Sequence, residues 1–279
     1  MFHRIFFLIT YLVSLTSIVQ ANSPKTALVP PVQFFVVIPS YNNEKWCIKN
    51  LESVVKQTYP FISILYIDDC STDATGKLVD DYIIKNGLQE RCRAIHNKVR
   101  KGAMANIYTG VSICDPHKVV AIIDGDDRLI DDKVFEKIAK IYADKNVWCT
   151  YGNFITEPFT IKSTCKEYPP EVQKNVTFRS QPIWMGCQLR TFYAKLFHLI
   201  KKEDFLWQGN FMPMTSDIAF MMPIFELSAH GHIHFVKEPN YVVNTANPIS
   251  DLKKNKYLQL AVDYYIRSIT PYTPLETLF

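Results

Sequence analysis

Five apolar residues, Val119 to Ile123, run directly into Asp124-Gly125-Asp126-Asp127. One Asp and the Gly suffice for a turn after a strand. Two further carboxylates only add repulsion unless a cation is bound. Oxygen donors in this number suit Mg²⁺ or Mn²⁺, which are held by one or two carboxylates together with substrate phosphates. The pattern therefore points to a nucleotide diphosphate more than to a bare metal. A second acidic step, Asp68-Asp69, follows the apolar run "FISILYI". For that pair alone, a turn or a helix cap is an equally good reading.

Stepping through the chain from Val32, short β-branched and aromatic runs alternate with amphipathic stretches. "VQFFVVIP", "FISILYID", "CRAIHN", "KVVAIID" and "VWCTYG" read as strands. Between them, four stretches read as helices. The first is expected to be capped by Asn42 or Asn43, with Ile48, Leu51, Val54 and Val55 on one face. The second is expected to start at Ser71 and end at Gly87, with Leu78, Tyr82 and Ile83 inward. "GAMANIYTGVSIC" is the third, and the fourth carries Val134, Ile138 and Ile141 on its apolar stripe. Such alternation predicts an α/β fold with a mostly parallel sheet flanked by helices. Ligands of such sheets gather beyond the carboxyl ends of the strands, where the acids fall. After Gly152 the regularity fades. "FITEPFTIKSTCKEYPPEVQ" reads as loop, "RTFYAKLFHLIKK" and "SDIAFMMPIFELSAHG" as helices, and "HIHFVKEPNYVVN" as a strand at a mixed edge of the sheet.

Composition narrows the function classes. The chain has 279 residues, 48% of them apolar, and a diffuse net charge of +4. This gives no case for nucleic acid as a partner. No GxGxxG or GxxxxGK[ST] is present among only nine glycines, so dinucleotide-binding and P-loop fingerprints are lacking. The basic stretches "NKVRKG" and "LKKNK" suit either a solvated face or a phosphorylated ligand. Seven scattered cysteines without CxxC spacing read as buried free thiols. Residues 1–21 resemble a secretory signal peptide or a marginal signal anchor, and 22–32 a linker. Three locations follow: the secretory pathway, membrane association through the N-terminus, or the cytoplasm if the signal is unused.

The ordered blocks "FFVVIPSYNN", "LESVVKQTYP", "ILYIDDCSTDATGKLV", "HNKVRKGAMANIYTGV" and "VVAIIDGDDRL" resemble the family-2 glycosyltransferases of GT-A fold. The resemblance implies a nucleotide-sugar-binding half over 33–152 and an acceptor-binding half, with C-terminal helices, over 153–279. It implies that Pro39, Ser40, Tyr41, Asp68, Asp69, Lys101, Asn106 and Asp124 face the donor. Asp124 and Asp126 match the DxD pair, with Asp126 the direct ligand of Mn²⁺ or Mg²⁺; Asp127 has no assigned role. The family places a general base near a helix start after the acceptor region, and "MTSDIAF" offers Asp217. First-turn helix dressing after Thr215 or Ser216 is the competing account of that residue. "YVVNTANPIS" departs from the family's basic or histidine pattern, so a third metal ligand has no counterpart. Trp184 and Arg190 are candidates for the acceptor, against core packing plus a surface Arg.

The implied activity is hexosyl transfer with inversion from a nucleotide sugar, UDP favoured, to a carbohydrate, lipid or protein acceptor. Two alternatives stand beside it: nucleotide-sugar binding without turnover, and a sugar nucleotidyltransferase. The latter needs a glycine-rich triphosphate loop that "PSYNNEKW" does not supply.

Overall fold

The computed structural model describes residues 31–249 and 255–279. The expected leader, residues 1–21, and all but the end of the linker lie outside the described residues. Among the described residues, no helix is long and apolar enough to cross a membrane.

The first half follows the expected alternation. Strands β1 (Phe34–Ser40), β2 (Ile62–Asp68), β3 (Cys92–His96) and β4 (Val119–Ile122) pair in parallel, in the order β3-β2-β1-β4. Helices α1 (Cys47–Val55), α2 (Thr75–Lys85) and α3 (Ala103–Ser112) form the crossovers between them. Val36, Val37, Ile38, Ile64, Leu65 and Ile67 are buried, because both faces of a parallel sheet are covered by helices. Register places Ser40 beside Asp68 and Val37 beside Ile122. The carboxyl ends of β1, β2 and β4 therefore share one rim.

Two helix starts differ from expectation. α1 begins at Cys47, because the Asn43 carbonyl accepts the N–H groups of Trp46 and Cys47 in a preceding turn. α2 begins at Thr75, whose N–H donates to Asp73 at 3.0 Å, while Ser71 is engaged with Asp68. The stop is as expected: Gly87 takes φ +63°, a conformation that costs glycine nothing.

The second half departs further. Strand β5 (Arg128–Leu129) and helix α4 (Val134–Ile141) follow β4. Strand β6 (Cys149–Glu157) extends five residues past Gly152, into the stretch expected as loop. The short helix α5 (Pro170–Lys174) closes that stretch. Arg190–Tyr193, expected as helix, is strand β7, antiparallel to both β4 and β6. It fills the slot between two strands that would otherwise leave backbone groups unpaired. Its Thr191, Phe192 and Tyr193 are all buried there. The helical reading survives only as α6 (Ala194–His198). A small hairpin follows, β8 (Leu206–Trp207) with β9 (Asn210–Phe211). Helix α7 (Ser216–Leu227) is buried almost all round, with Pro223 inside it. Strand β10 (Ile233–Asn244) runs parallel to β6 and slips register around Pro239, which has no N–H to give. Helix α8 (Lys256–Ser268) is capped by Asn255, which accepts the Leu258 N–H at 3.0 Å.

A buried ion pair fixes α7. Arg179 reaches Glu226 through Nε at 2.5 Å and Nη2 at 2.8 Å, and its Nη1 donates to the Ile266 carbonyl. Glu226 also accepts the Tyr272 N–H at 3.0 Å. This ion pair thus joins α7, the turn at 178–180, α8 and the C-terminal segment.

Two corrections apply to the cysteines: Cys70 is a free thiol but only half-buried, and one pair is bonded. Cys47, Cys92, Cys114 and Cys149 are buried thiols, pushed up by burial to about 11 for Cys47 and about 12 for the others. Cys165 and Cys187 instead form a disulfide, between loops that the fold brings together over β6.

Candidate active site

The rim of the parallel strands is built from its polar residues. Ser40, next to Pro39 at the end of β1, accepts hydrogen bonds from the Tyr66 hydroxyl at 2.7 Å and the Asn43 amide at 2.9 Å. Asp68 is buried; it accepts from Ser71 and faces His96 Nδ1 at 3.3 Å. Asp69 is buried too. It accepts from the N–H groups of Lys101 at 2.9 Å and Gly102 at 2.8 Å, and from the Asn97 amide at 2.9 Å. Burial pushes its carboxyl up, but Lys101, Asn106, Gly102 and Asn97 together outweigh burial and hold it below the ordinary range. Asp69 thereby docks the loop after β3 onto the rim. Asn106 lies beneath that loop and accepts from Asn97 at 2.8 Å. Lys101 keeps its side chain exposed, and the neighbouring Arg100 lies 3.9 Å over the ring of Tyr41. Arg100 stacked on Tyr41 and the exposed Lys101 place two cations beside this rim, chemistry suited to a planar base with an attached phosphate.

The three carboxylates after β4 are not equivalent. Asn50 gathers their turn by donating to the carbonyls of Asp124 and Asp127, both at 2.8 Å. Gly125 comes so close to β1 that a Cβ there would lie 2.5 Å from Ser40 Oγ. Asp127 points into the protein and accepts the Asn244 N–H at 2.7 Å, tying the turn to β10. Burial, with Asp126 and Asp124 adding, pushes its carboxyl well above the ordinary range. Asp126 accepts from the Asn247 amide at 2.6 Å. Asp124 is held through its N–H by the Tyr241 hydroxyl at 2.9 Å. Its carboxyl is pushed up to about 6, chiefly by burial; Asp126 and Asp217 add to this and Arg190 opposes it.

The facing wall comes from the second half of the chain. Asp217, in the first turn of α7, accepts from Arg190 Nη2 at 2.8 Å and from Trp184 Nε1 at 3.1 Å. Arg190 is not the surface residue of the sequence reading. It is buried at the head of β7, paired in register with Ile122, and its Nε donates to the Gly186 carbonyl at 2.6 Å. Trp184 and Arg190 thus orient a carboxylate beside Asp124.

The acid set fits a hard divalent cation shared with a ligand. Among the described residues, no three acidic, His or Cys side chains converge as a ready-made metal cluster. Asp124 and Asp126 offer oxygen donors at the rim, and Asp127 is turned away to the protein. Two carboxylates with the remaining positions left to phosphate and water match the way Mg²⁺ and Mn²⁺ are held.

Several residues of the site were not singled out in sequence. Arg100 was visible only as part of a basic run. Gln188, which donates to Asp124 at 3.4 Å, carried no signal. Asn244 and Asn247 lie in the segment where the sequence departs from the family pattern, and they meet Asp127 and Asp126, the last two acids of the turn.

Residues 35–198, more than half of the chain, match the model of the family "Glycosyl transferase family 2". Glycosyltransferase GlyG of Streptococcus pneumoniae is 29% identical over 119 residues, which cover 43% of this chain and 38% of GlyG. An Escherichia coli protein, WfaP, named a UDP-Glc:α-D-GlcNAc-diphosphoundecaprenol β-1,3-glucosyltransferase, is 28% identical over 62% of this chain and 67% of its own. Among solved structures, Staphylococcus aureus TarS 1–349 in complex with UDP-GlcNAc superposes with a TM-score of 0.61 at 18% identity, covering 85% of this chain and 64% of that one. The mannosyltransferase PcManGT of Pyrobaculum calidifontis, in complex with GDP-Man and Mn²⁺, gives 0.53 at 19% identity over 80% of this chain and 61% of that one. The chain thus spans well under half the length of GlyG and just under two thirds of the TarS fragment.

Proposed function

Because the chain belongs to glycosyl transferase family 2 and has the GT-A fold, we propose that it moves a hexose from a UDP-sugar to an acceptor hydroxyl, inverting the anomeric carbon with a divalent cation on the diphosphate. Residues 33–152 supply the donor side and 153–279 the acceptor side. The observation that carries this reading is Asp217, a carboxylate oriented by Trp184 and Arg190 close to Asp124.

Tyr41, Arg100 and the loop docked by Asp69 receive the nucleoside. Lys101 and Arg100 face its phosphates. Asp126, with Asp124, would hold Mn²⁺ or Mg²⁺, which when bound offsets the charge that develops on the departing diphosphate. Asn247 and Gln188 orient those two carboxylates. On the other side of the anomeric carbon, Asp217 accepts the proton of the attacking hydroxyl. The C–O bond to the acceptor forms as the bond to the diphosphate breaks, so a single displacement inverts the centre. Asp127 takes no part beyond bracing the turn against β10.

Support for the donor class comes from the relatives. TarS is seen with UDP-GlcNAc, and WfaP is named for UDP-Glc. Support for the cation comes from PcManGT, in complex with GDP-Man and Mn²⁺. The acceptor is a carbohydrate, lipid or protein hydroxyl.

Product analysis tests the reading. The full chain is incubated with UDP-glucose, UDP-GlcNAc and other UDP-hexoses, Mn²⁺ and candidate acceptors. Release of UDP with β-linked product from an α-linked donor is expected. In a parallel incubation with UTP and a hexose 1-phosphate, release of pyrophosphate would point to a nucleotidyltransferase. Tight UDP-sugar binding with no product of either kind would leave only a binding protein.

A further inference from the structure

Cys165 and Cys187, with Cα atoms 6.6 Å apart, join two segments without regular secondary structure: the approach to α5 and residues 181–189. The second segment is part of the site. Trp184 donates to Asp217, the Gly186 carbonyl accepts from Arg190, and Gln188 donates to Asp124. It forms one tight turn. A Cβ at Gly186 would lie 2.3 Å from the indole of Trp184, so the backbone folds directly on that ring. Where Cys187 sits therefore fixes where Gly186 and Gln188 sit. Apart from the Arg190 bond to the Gly186 carbonyl at 2.6 Å and the bonds to Asp217 and Asp124, the turn is tied by long hydrogen bonds: Met185 N–H to the Tyr168 hydroxyl at 3.3 Å, and Gly152 N–H to the Cys187 carbonyl at 3.2 Å. The disulfide is the covalent tie, and it anchors the turn to the loop above β6.

We propose that the Cys165–Cys187 disulfide is a positioning element for sugar transfer, holding the Trp184–Gln188 turn so that Asp217 and Asp124 keep their orientation, and that its reduction turns the enzyme into a slow form. The proposal rests on the reading of Asp217 as the base. Both cysteines are half-buried, so a small reductant reaches them. A dithiol breaks the S–S bond, delivers two electrons and two protons to give two thiols, and leaves as its own cyclic disulfide.

The test compares the full chain oxidised, reduced with dithiothreitol, and reoxidised, beside the double variant Cys165→Ser, Cys187→Ser. Transfer kinetics and amide hydrogen exchange are measured on each. Reduction is expected to lower kcat at least about tenfold and to raise the donor KM by a smaller factor, because Asp124 is also held by Tyr241 and Asn50, and Asp126 by Asn247, outside the turn. Exchange should quicken in residues 182–190 and stay unchanged in 62–68. Reoxidation should restore wild type, and the double variant should be slow and indifferent to dithiol. Equal transfer by both forms overturns the proposal and leaves the proposed function standing. A fall in kcat with exchange rising across the whole sheet also overturns it, since that is loss of fold and not of position. No transfer from any donor by the oxidised form overturns the proposed function, and the exchange measurement then still decides whether the disulfide holds the turn.

Discussion

Arg190 donates to Asp217 at 2.8 Å through one guanidinium nitrogen and to the Gly186 carbonyl at 2.6 Å through another. The guanidinium is buried and planar, so the direction of the carboxylate is set by the backbone of the neighbouring turn. A first-turn Asp that only dressed a helix end would face solvent; this one is held from two sides. Asp217→Asn is expected to lower kcat by about 10² to 10⁴ with donor affinity kept, as for loss of a general base. Arg190→Lys, which keeps charge but loses the fork, should lower kcat about tenfold or more. Steady-state kinetics with calorimetry of UDP binding separate the two effects. Unchanged kcat in Asp217→Asn would remove Asp217 from the chemistry.

Asp124 gives a pH dependence with a definite sign. Burial raises its carboxyl from 3.8 to about 6, so the folded protein resists its ionisation. In the absence of cation, this strain is absent below the unfolded value, grows as pH rises through the interval, and is complete above about 6. Asp124→Asn should therefore raise the melting temperature of the cation-free protein by roughly 5 °C near pH 7.5, and change it little near pH 4. Differential scanning calorimetry reads this directly. The same gain at both pH values would mean that ionisation of Asp124 is not the source.

Much of the acid-lined rim was legible in the sequence, and the reason is local. Parallel strands buried on both faces must be runs such as "FFVVI" and "VVAII", and the acids that end them must lie at one rim. Asp69, Asp124 and Asp126 could be found on that ground. The second half hid its parts because long-range pairing set them. Arg190–Tyr193 became a strand only because β4 and β6 left a slot for it, and nothing within "RTFYAKLF" announces that neighbour. The partners of Asp126 and Asp127, Asn247 and Asn244, are more than a hundred residues away in sequence. The Cys165–Cys187 pair was invisible for the same reason.

The Arg179–Glu226 pair should matter to stability out of proportion to its distance from the rim. Glu226 is fully buried, so Glu226→Gln leaves the Arg179 charge without its counter-ion, at a cost of about 3 to 5 kcal/mol. A drop in melting temperature of roughly 10 °C is expected. Arg179→Met with Glu226→Leu should recover a large part of it, because the uncompensated charge is gone. A double variant no better than Glu226→Gln would place the cost in the hydrogen bonds to Ile266 and Tyr272 instead.

Gly125 offers a steric test of the turn. An added methyl would stand 2.5 Å from Ser40 Oγ and 2.6 Å from Ser40 Cβ. Gly125→Ala must push the acid turn away from β1, costing about 1 to 3 kcal/mol. UDP binding in the presence of Mn²⁺ should weaken at least about tenfold, as Asp124 and Asp126 are displaced together. The companion variant Gly125→Ala, Ser40→Gly makes room and should restore part of the affinity. Full affinity in the single variant would show that the close approach is not needed.

The central claim is that Asp126 and Asp124 hold a cation that holds a diphosphate. Calorimetric titration of UDP into residues 33–279, with Mn²⁺ and with EDTA, in wild type and Asp126→Ala, tests it most directly. The account predicts binding in wild type that requires Mn²⁺ and is lost in Asp126→Ala. Binding of equal strength with EDTA and in the variant would contradict it, and would make Asp124-Gly125-Asp126-Asp127 an acidic turn braced by Asn50, Asn244 and Asn247.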